Sequence, residues 1–103
     1  IKSIVEFDNI VTKNSGFVIV DFYADYCPSC LQMLPVIDAV SQEFNKKATF
    51  VKIDVEVSEE LVKKLFVHKV PCLLVFQNGQ LVARYNKAMT KKELSTLLEQ
   101  LIS

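Results

Sequence analysis

The sequence predicts an α/β fold built on a mostly buried sheet. Three observations carry that reading. Residues 17–23, 49–54 and 72–77 are apolar, β-branched runs of strand length. The segments between them repeat their apolar residues at helical steps. An Asn78-Gly79 pair then separates the last strong run from an alternating one, the mark of a hairpin.

Taken in order, Ser3-Ile4-Val5 reads as a short first strand. Phe7, Ile10 and Val11 are spaced along one helical face, and Asn14-Ser15-Gly16 ends it, with Gly16 able to take a positive φ. Phe17 to Tyr23 fits a strand buried on both faces. Leu34, Ile37, Val40 and Phe44 then share one side of a helix, which Pro35 should kink without ending. Residues 49–54 read as a second buried strand. Ser58 offers a cap to a helix whose first turn holds Glu59 and Glu60, at the positive end of the dipole. Leu61, Val62, Leu65 and Phe66 would form its inner face. After the hairpin, Thr90 and Glu93 make a capping-box pattern. The amphipathic last helix follows, with Leu94, Leu97, Leu98 and Leu101. Strand–helix alternation implies right-handed parallel crossovers, and the hairpin adds an antiparallel edge.

The 103 residues fit one domain, 1–103, and half of them are hydrophobic, enough to fill a core without staples. Twelve basic and twelve acidic side chains cancel, leaving no broad field for nucleic acid or an anionic membrane. The doublets Lys46-Lys47, Lys63-Lys64 and Lys91-Lys92 are most simply solvated helix faces. No apolar run reaches the roughly 18 residues a bilayer span needs, and no signal-peptide pattern is visible. The expected location is cytoplasmic. Because the sequence begins at Ile1 and not Met, a removed leader or an organelle stays open.

Three cysteines are an odd number, unlike the even sets of disulfide-stapled secreted domains. Cys27-Pro28-Ser29-Cys30 sits where the first strong strand hands over to a helix. Pro28 suits the first helical position. The free N–H groups of Ser29 and Cys30 can then solvate a Cys27 thiolate. Such placement lowers a thiol pKa from about 8.5 to about 3.5–7.5. Cys27 would attack a substrate disulfide, and the more buried Cys30 would displace the product from the mixed disulfide. Two rival readings stay open. The pair can be ordinary core cysteines, or Cys27, Cys30, His68 and Cys72 can be a Cys₃His metal set. The absence of a second close pair counts against metal.

Residues 20–30, Val-Asp-Phe-Tyr-Ala-Asp-Tyr-Cys-Pro-Ser-Cys, resemble the strand and active-site segment of the thioredoxin family. Val70-Pro71 resembles its cis-proline loop, Phe76-Gln77-Asn78-Gly79 its hairpin, and Pro35 its helix kink. The resemblance runs along essentially the whole sequence. It implies a thioredoxin fold: a central five-stranded mixed β-sheet flanked by four α-helices. It implies protein-disulfide reduction by a redox-active Cys27–Cys30 pair, with no cofactor and no metal in the protein. Electrons would come from a thioredoxin reductase, an NADPH-dependent flavoprotein, and partners would be disulfide-containing client proteins met by a monomer. It makes Asp21 the proton acceptor for Cys30 and Lys52 the partner of Asp21. It places Tyr26, Pro28, Val70 and a cis Pro71 in substrate binding, with Val70 offering backbone groups to an extended peptide.

The departures are informative. Tyr23 and Tyr26 stand where the family has its two active-site tryptophans, and the sequence has no Trp. Pro28-Ser29 replaces Gly-Pro, which leaves a disulfide oxidase or isomerase as an alternative. A non-catalytic interaction module or metal-binding protein of the same fold is another. Lys87 replaces a groove glycine. Cys72 replaces a threonine after Pro71; it reads as an inert core thiol or as a regulatory one.

Overall fold

A computed structural model describes residues 3–102. Its framework is β1 (Phe17–Tyr23), which lies between β2 (Ala48–Asp54) and β3 (Cys72–Gln77); β4 (Gln80–Tyr85) follows β3, giving the order β2-β1-β3-β4. β1 alternates its side chains between two covered faces. Val18, Val20 and Phe22 pack with Phe7, Val11, Ile53, Leu61, Leu74 and Phe76 on one side. Ile19 packs with Met33, Ile37, Val40, Phe44, Leu94 and Leu98 on the other. Each such fully buried side chain contributes about 1.5–3 kcal/mol.

The helices divide between these faces. α1 (Ile4–Phe7), continued by a π-helical turn at Asp8–Thr12, and α3 (Glu59–Lys64) serve the first. α2 (Pro28–Glu43) and α4 (Lys91–Ile102) serve the second. Pro35 lies inside α2 without ending it. The capping box at α4 forms in both directions. Thr90 N–H donates to Glu93 Oε1 at 3.0 Å, and Glu93 N–H donates to Thr90 Oγ1 at 3.1 Å. The hairpin has the left-handed residues its sequence promised, Asn78 at φ 53° and Gly79 at φ 79°. A Cβ on Gly79 would also run into the Thr12 carbonyl.

Five expectations need correction. The sheet has four strands among the described residues, not five. The segment read as a first strand is helical, because Ser3 Oγ accepts from Glu6 N–H at 3.1 Å and caps α1. Gly16 needs no positive φ; its N–H donates to Asn14 Oδ1 at 2.8 Å in a side-chain turn. β2 is an edge strand on which only Ile53 is fully buried. Only the first crossover is parallel: β3 pairs with β1 antiparallel, Phe22 opposite Cys72, because the chain leaving α3 re-enters the sheet at the end where β1 finishes.

Phe66 also departs from the inner face assigned to it. α3 ends at Lys64, and Phe66 takes φ 55° with its ring 69% exposed. Val67 N–H donates to Val62 O at 3.0 Å and Phe66 N–H to Lys63 O at 3.3 Å. That bonding is a Schellman ending with Phe at the position glycine usually takes. Ser58 does precede α3, but its side chain makes no capping bond there.

Candidate active site

β1 ends at Tyr23, and a turn closed by Cys27 N–H donating to Ala24 O at 3.1 Å leads into α2. Cys27 is the N-cap, with extended φ −105° and ψ 104°, and Pro28 opens the helix. Cys27 Sγ therefore faces unpaired donors. It accepts from Cys30 N–H at 3.2 Å and lies 3.4 Å from Ser29 Oγ. Across the turn it lies 3.9 Å from the Val70 carbonyl oxygen, to which the thiol donates. Val70-Pro71 is a cis peptide bond. All three cysteines are free thiols.

The two thiols of the pair are driven apart. Cys27 is lowered, first by hydrogen bonding from the Cys30 thiol, then by the Ser29 hydroxyl, with the amides of both adding to it against burial. The side-chain donors thus outweigh the amides on which the sequence argument leaned. Cys30 is fully buried and pushed up to about 11, mainly by burial and then by its bond to Cys27. A low first thiol and a high second one divide attack from resolution.

Asp21 lies mid-β1, on the face covered by α2, with Lys52 and Leu73 as its cross-strand neighbours. It is 1% exposed, and among the described residues neither carboxyl oxygen has a hydrogen-bond partner. Burial raises it to about 6; the Lys52 charge pulls the other way. Lys52 makes no hydrogen bond to it. Its Nζ lies 3.5 Å from Asp38 Oδ1 on α2.

A family model described as Thioredoxin matches residues 2–100. The chain belongs to the thioredoxin family. It is 31% identical over 95 residues to a thioredoxin of Haemophilus influenzae, covering 92% of this chain and 89% of that one. It is 34% identical over 83 residues to thioredoxin C-2 of Corynebacterium nephridii, covering 81% and 77%. Against the chloroplastic thioredoxin Y of Oryza sativa subsp. japonica it is 31% identical over 93 residues, 90% of this chain but 55% of that one. With this membership and its C-x-x-C pair, the protein is a thiol–disulfide reductase. Thioredoxins need no prosthetic group, and the family works with a reductase and with disulfide clients.

The thioredoxin fold brings Cys27, Cys30 and Val70 together and leaves Tyr26 70% exposed beside them. A groove of about 340 Å³ runs from Tyr26 along Val55, Glu56 and Glu59 to His68, Lys69 and Val70. The groove acids were missed; the only signal was their position after the second strand. Cys72 lies apart from the pair, fully buried in the core on the α3 side. Burial raises its thiol, although Arg84 Nη1 at 3.8 Å pulls it down. Among the described residues no three His, Cys, Asp or Glu side chains converge on a metal position, so the Cys₃His set does not assemble. No described helix is long and apolar enough to cross a membrane.

Proposed function

We propose that Cys27 attacks the client disulfide and Cys30 resolves the mixed disulfide, with Asp21 taking the Cys30 proton. The supporting observation is the Cys27 sulfur at the head of α2, 3.2 Å from the Cys30 amide, with the Val70 carbonyl 3.9 Å away on the client side. The Cys27 thiolate forms a bond to one client sulfur, and the other leaves as a thiolate that takes up a proton. Cys30, deprotonated toward Asp21, then attacks Cys27 Sγ. The Cys27–Cys30 disulfide forms, the second client thiol departs, and two electrons have passed to the client. Asp21 suits this step: a carboxylate near 6 is mostly ionised at neutral pH yet more basic than an ordinary one. Lys52 tunes Asp21 through space and not by a hydrogen bond.

Val70 and Pro71 would hold an extended client backbone, with Tyr26 and Pro28 flanking the sulfur. The cycle closes when an NADPH-dependent flavoprotein reductase reduces Cys27–Cys30. The reading takes 1–103 as one thioredoxin domain acting as a monomer, in the cytoplasm or an organelle with a supply of such electrons. It gives Cys72 a packing role, since its thiol is enclosed and raised. Insulin reduction by dithiothreitol, with and without the protein, tests the assignment. Acceleration that needs both Cys27 and Cys30 is expected, and undiminished acceleration by Cys27→Ser would overturn it. Equilibration against a glutathione buffer measures whether the pair is poised as a reductant.

A further inference from the structure

The segment from Phe66 to Pro71 stands as a narrow wall between two open grooves. One is the groove beside Tyr26 already described. The other, about 300 Å³, is lined by Phe66, His68, Lys69, Arg84 and Asn86. His68 and Lys69 line both, and both are exposed. Val67 reaches into the core and Val70 packs beside the cysteine pair, so the segment is held from beneath while His68 and Lys69 stand clear on both sides. At its Pro71 end it is continuous with β3, which is hydrogen-bonded to β1 and β4. At its Phe66 end it leaves α3 through a residue that is neither glycine nor asparagine in the left-handed region. A bulky side chain there is unfavourable and persists only where surrounding contacts over-determine it.

Beyond the Schellman bonds and the buried Val67, Arg84 on β4 supplies side-chain contacts to this turn. Its Nη2 donates to the Leu65 carbonyl at 2.6 Å and its Nη1 to the Phe66 carbonyl at 3.3 Å, on either side of the peptide that turns left-handed. The same Nη1 lies 3.8 Å from Cys72 Sγ, at the other end of the wall. One planar fork thus ties the start of the segment, its end and the neighbouring strand together. A guanidinium can do this with two donors in fixed geometry; an ammonium on a flexible stem cannot.

We infer that Arg84 is a positioning residue for disulfide exchange, fixing the Val70 carbonyl where a client backbone must meet Cys27. This rests on the reading that Val70 and Pro71 bind the client. Arg84 touches neither client nor sulfur pair; it acts through the segment it clasps. Cys72 is then explained as part of the same arrangement, a soft acceptor closing the clasp and not a third redox group.

The test compares Arg84→Ala, Arg84→Lys, Pro71→Ala and the double variant Arg84→Ala with Phe66→Gly, using insulin and a small aromatic disulfide as substrates. For Arg84→Ala the KM for insulin should rise about tenfold, the scale of losing hydrogen bonds from a charged donor, with kcat held within about twofold. The small disulfide, which needs no backbone docking, should feel less than about half of that loss, and the pH profile of Cys27 alkylation should not move. Arg84→Lys should fall between, because one ammonium reaches one carbonyl. Phe66→Gly in the same chain should restore the KM, since glycine takes the left-handed turn without a clasp. That rescue would not follow from a general loss of folding. An unchanged KM in a folded Arg84→Ala variant, an equal loss on both substrates, or no rescue by glycine would overturn the inference. If Pro71→Ala also leaves the KM for insulin unchanged, the client-binding reading itself fails. If Pro71→Ala raises it and Arg84→Ala does not, only the role of Arg84 falls.

Discussion

Two sulfurs near one end of the sheet have opposite fates. Hydrogen bonds and no cation lower the Cys27 thiol among the described residues; Cys72 has a guanidinium 3.8 Å away, yet its thiol is raised. The difference lies in burial and in the number of donors aimed at each sulfur. Cys27 is 9% exposed and collects a thiol, a hydroxyl and the first amides of a helix. Cys72 is sealed at the start of a strand, where backbone donors are spent on the ladder, and burial outweighs the pull of Arg84 and Asn86, with the Asp21 charge adding to the rise. A helix start makes a reactive thiol; a strand start makes a packed one.

The largest effect that could break this contrast is loss of activity. Cys27→Ser should take insulin reduction down to background, at least about a thousandfold, because a hydroxyl at neutral pH is no nucleophile without a base beside it. Cys72→Ala should hold the rate within about twofold. A large fall for Cys72→Ala, with the fold intact by circular dichroism, would give the second sulfur a part in exchange.

Reactivity sharpens the same point. In the reduced native protein, iodoacetamide should label Cys27 at least about a hundred times faster than Cys72, since access and thiolate fraction both favour it. The Cys27 rate should titrate below the value of a free cysteine, about 8.5. Mass mapping under mild oxidation should show a Cys27–Cys30 link and an unmodified Cys72.

Much of this contrast was written locally. The Cys27-Pro28 helix start, the Asn78-Gly79 hairpin and the Thr90–Glu93 box each depend on a few adjacent residues, and all three formed. What could not be read depends on distant partners. Ile4 and Val5 favour a strand by propensity, but the Ser3 cap and the burial of Phe7 and Val11 make a helix. Phe66 fits the apolar period of α3, but the helix ends before it is reached. The direction of β3 depends on how the chain returns from α3. The family resemblance pairs Lys52 with Asp21, and the two do lie opposite, but the Lys52 side chain turns to Asp38 on a different element. The clasp of Arg84 crosses from one strand to a helix end, with no pattern in the sequence to announce it.

Asp21 extends the comparison to a buried acid. It ionises near 6 in the folded protein against an ordinary value of 3.8. Between those two values the folded chain keeps a proton that the unfolded chain has released. Stability therefore falls as pH rises from about 4 to about 6 and stays level above. About two units correspond to a cost on the order of 3 kcal/mol at pH 7, present only when the group is charged. Asp21→Asn should be more stable than the parent by that order at pH 7 and equal to it at pH 3, read by urea unfolding. The same substitution should slow resolution of the mixed disulfide, because the proton acceptor for Cys30 is gone. A gain of equal size at pH 3 would show that the cost was packing and not charge.

The smallest effect concerns the cation opposite that acid. Lys52 lowers Asp21 only through space, and both it and its partner Asp38 are well exposed, so the pair is soft. Lys52→Gln removes the pull, and Asp21 should then titrate above its present value, never below. The pH window over which stability is lost should extend upward with it. Asp38→Asn should do the reverse, because an untethered ammonium is free to swing toward the carboxylate across the β1–β2 pair. The change in the rate of mixed-disulfide resolution near pH 6 should be about two- to fivefold at most, the scale of exposed ion pairs. Carboxyl resonances followed by NMR during titration separate the two variants by sign. If both move Asp21 in the same direction, Lys52 is an ordinary surface lysine, and burial alone sets the acid.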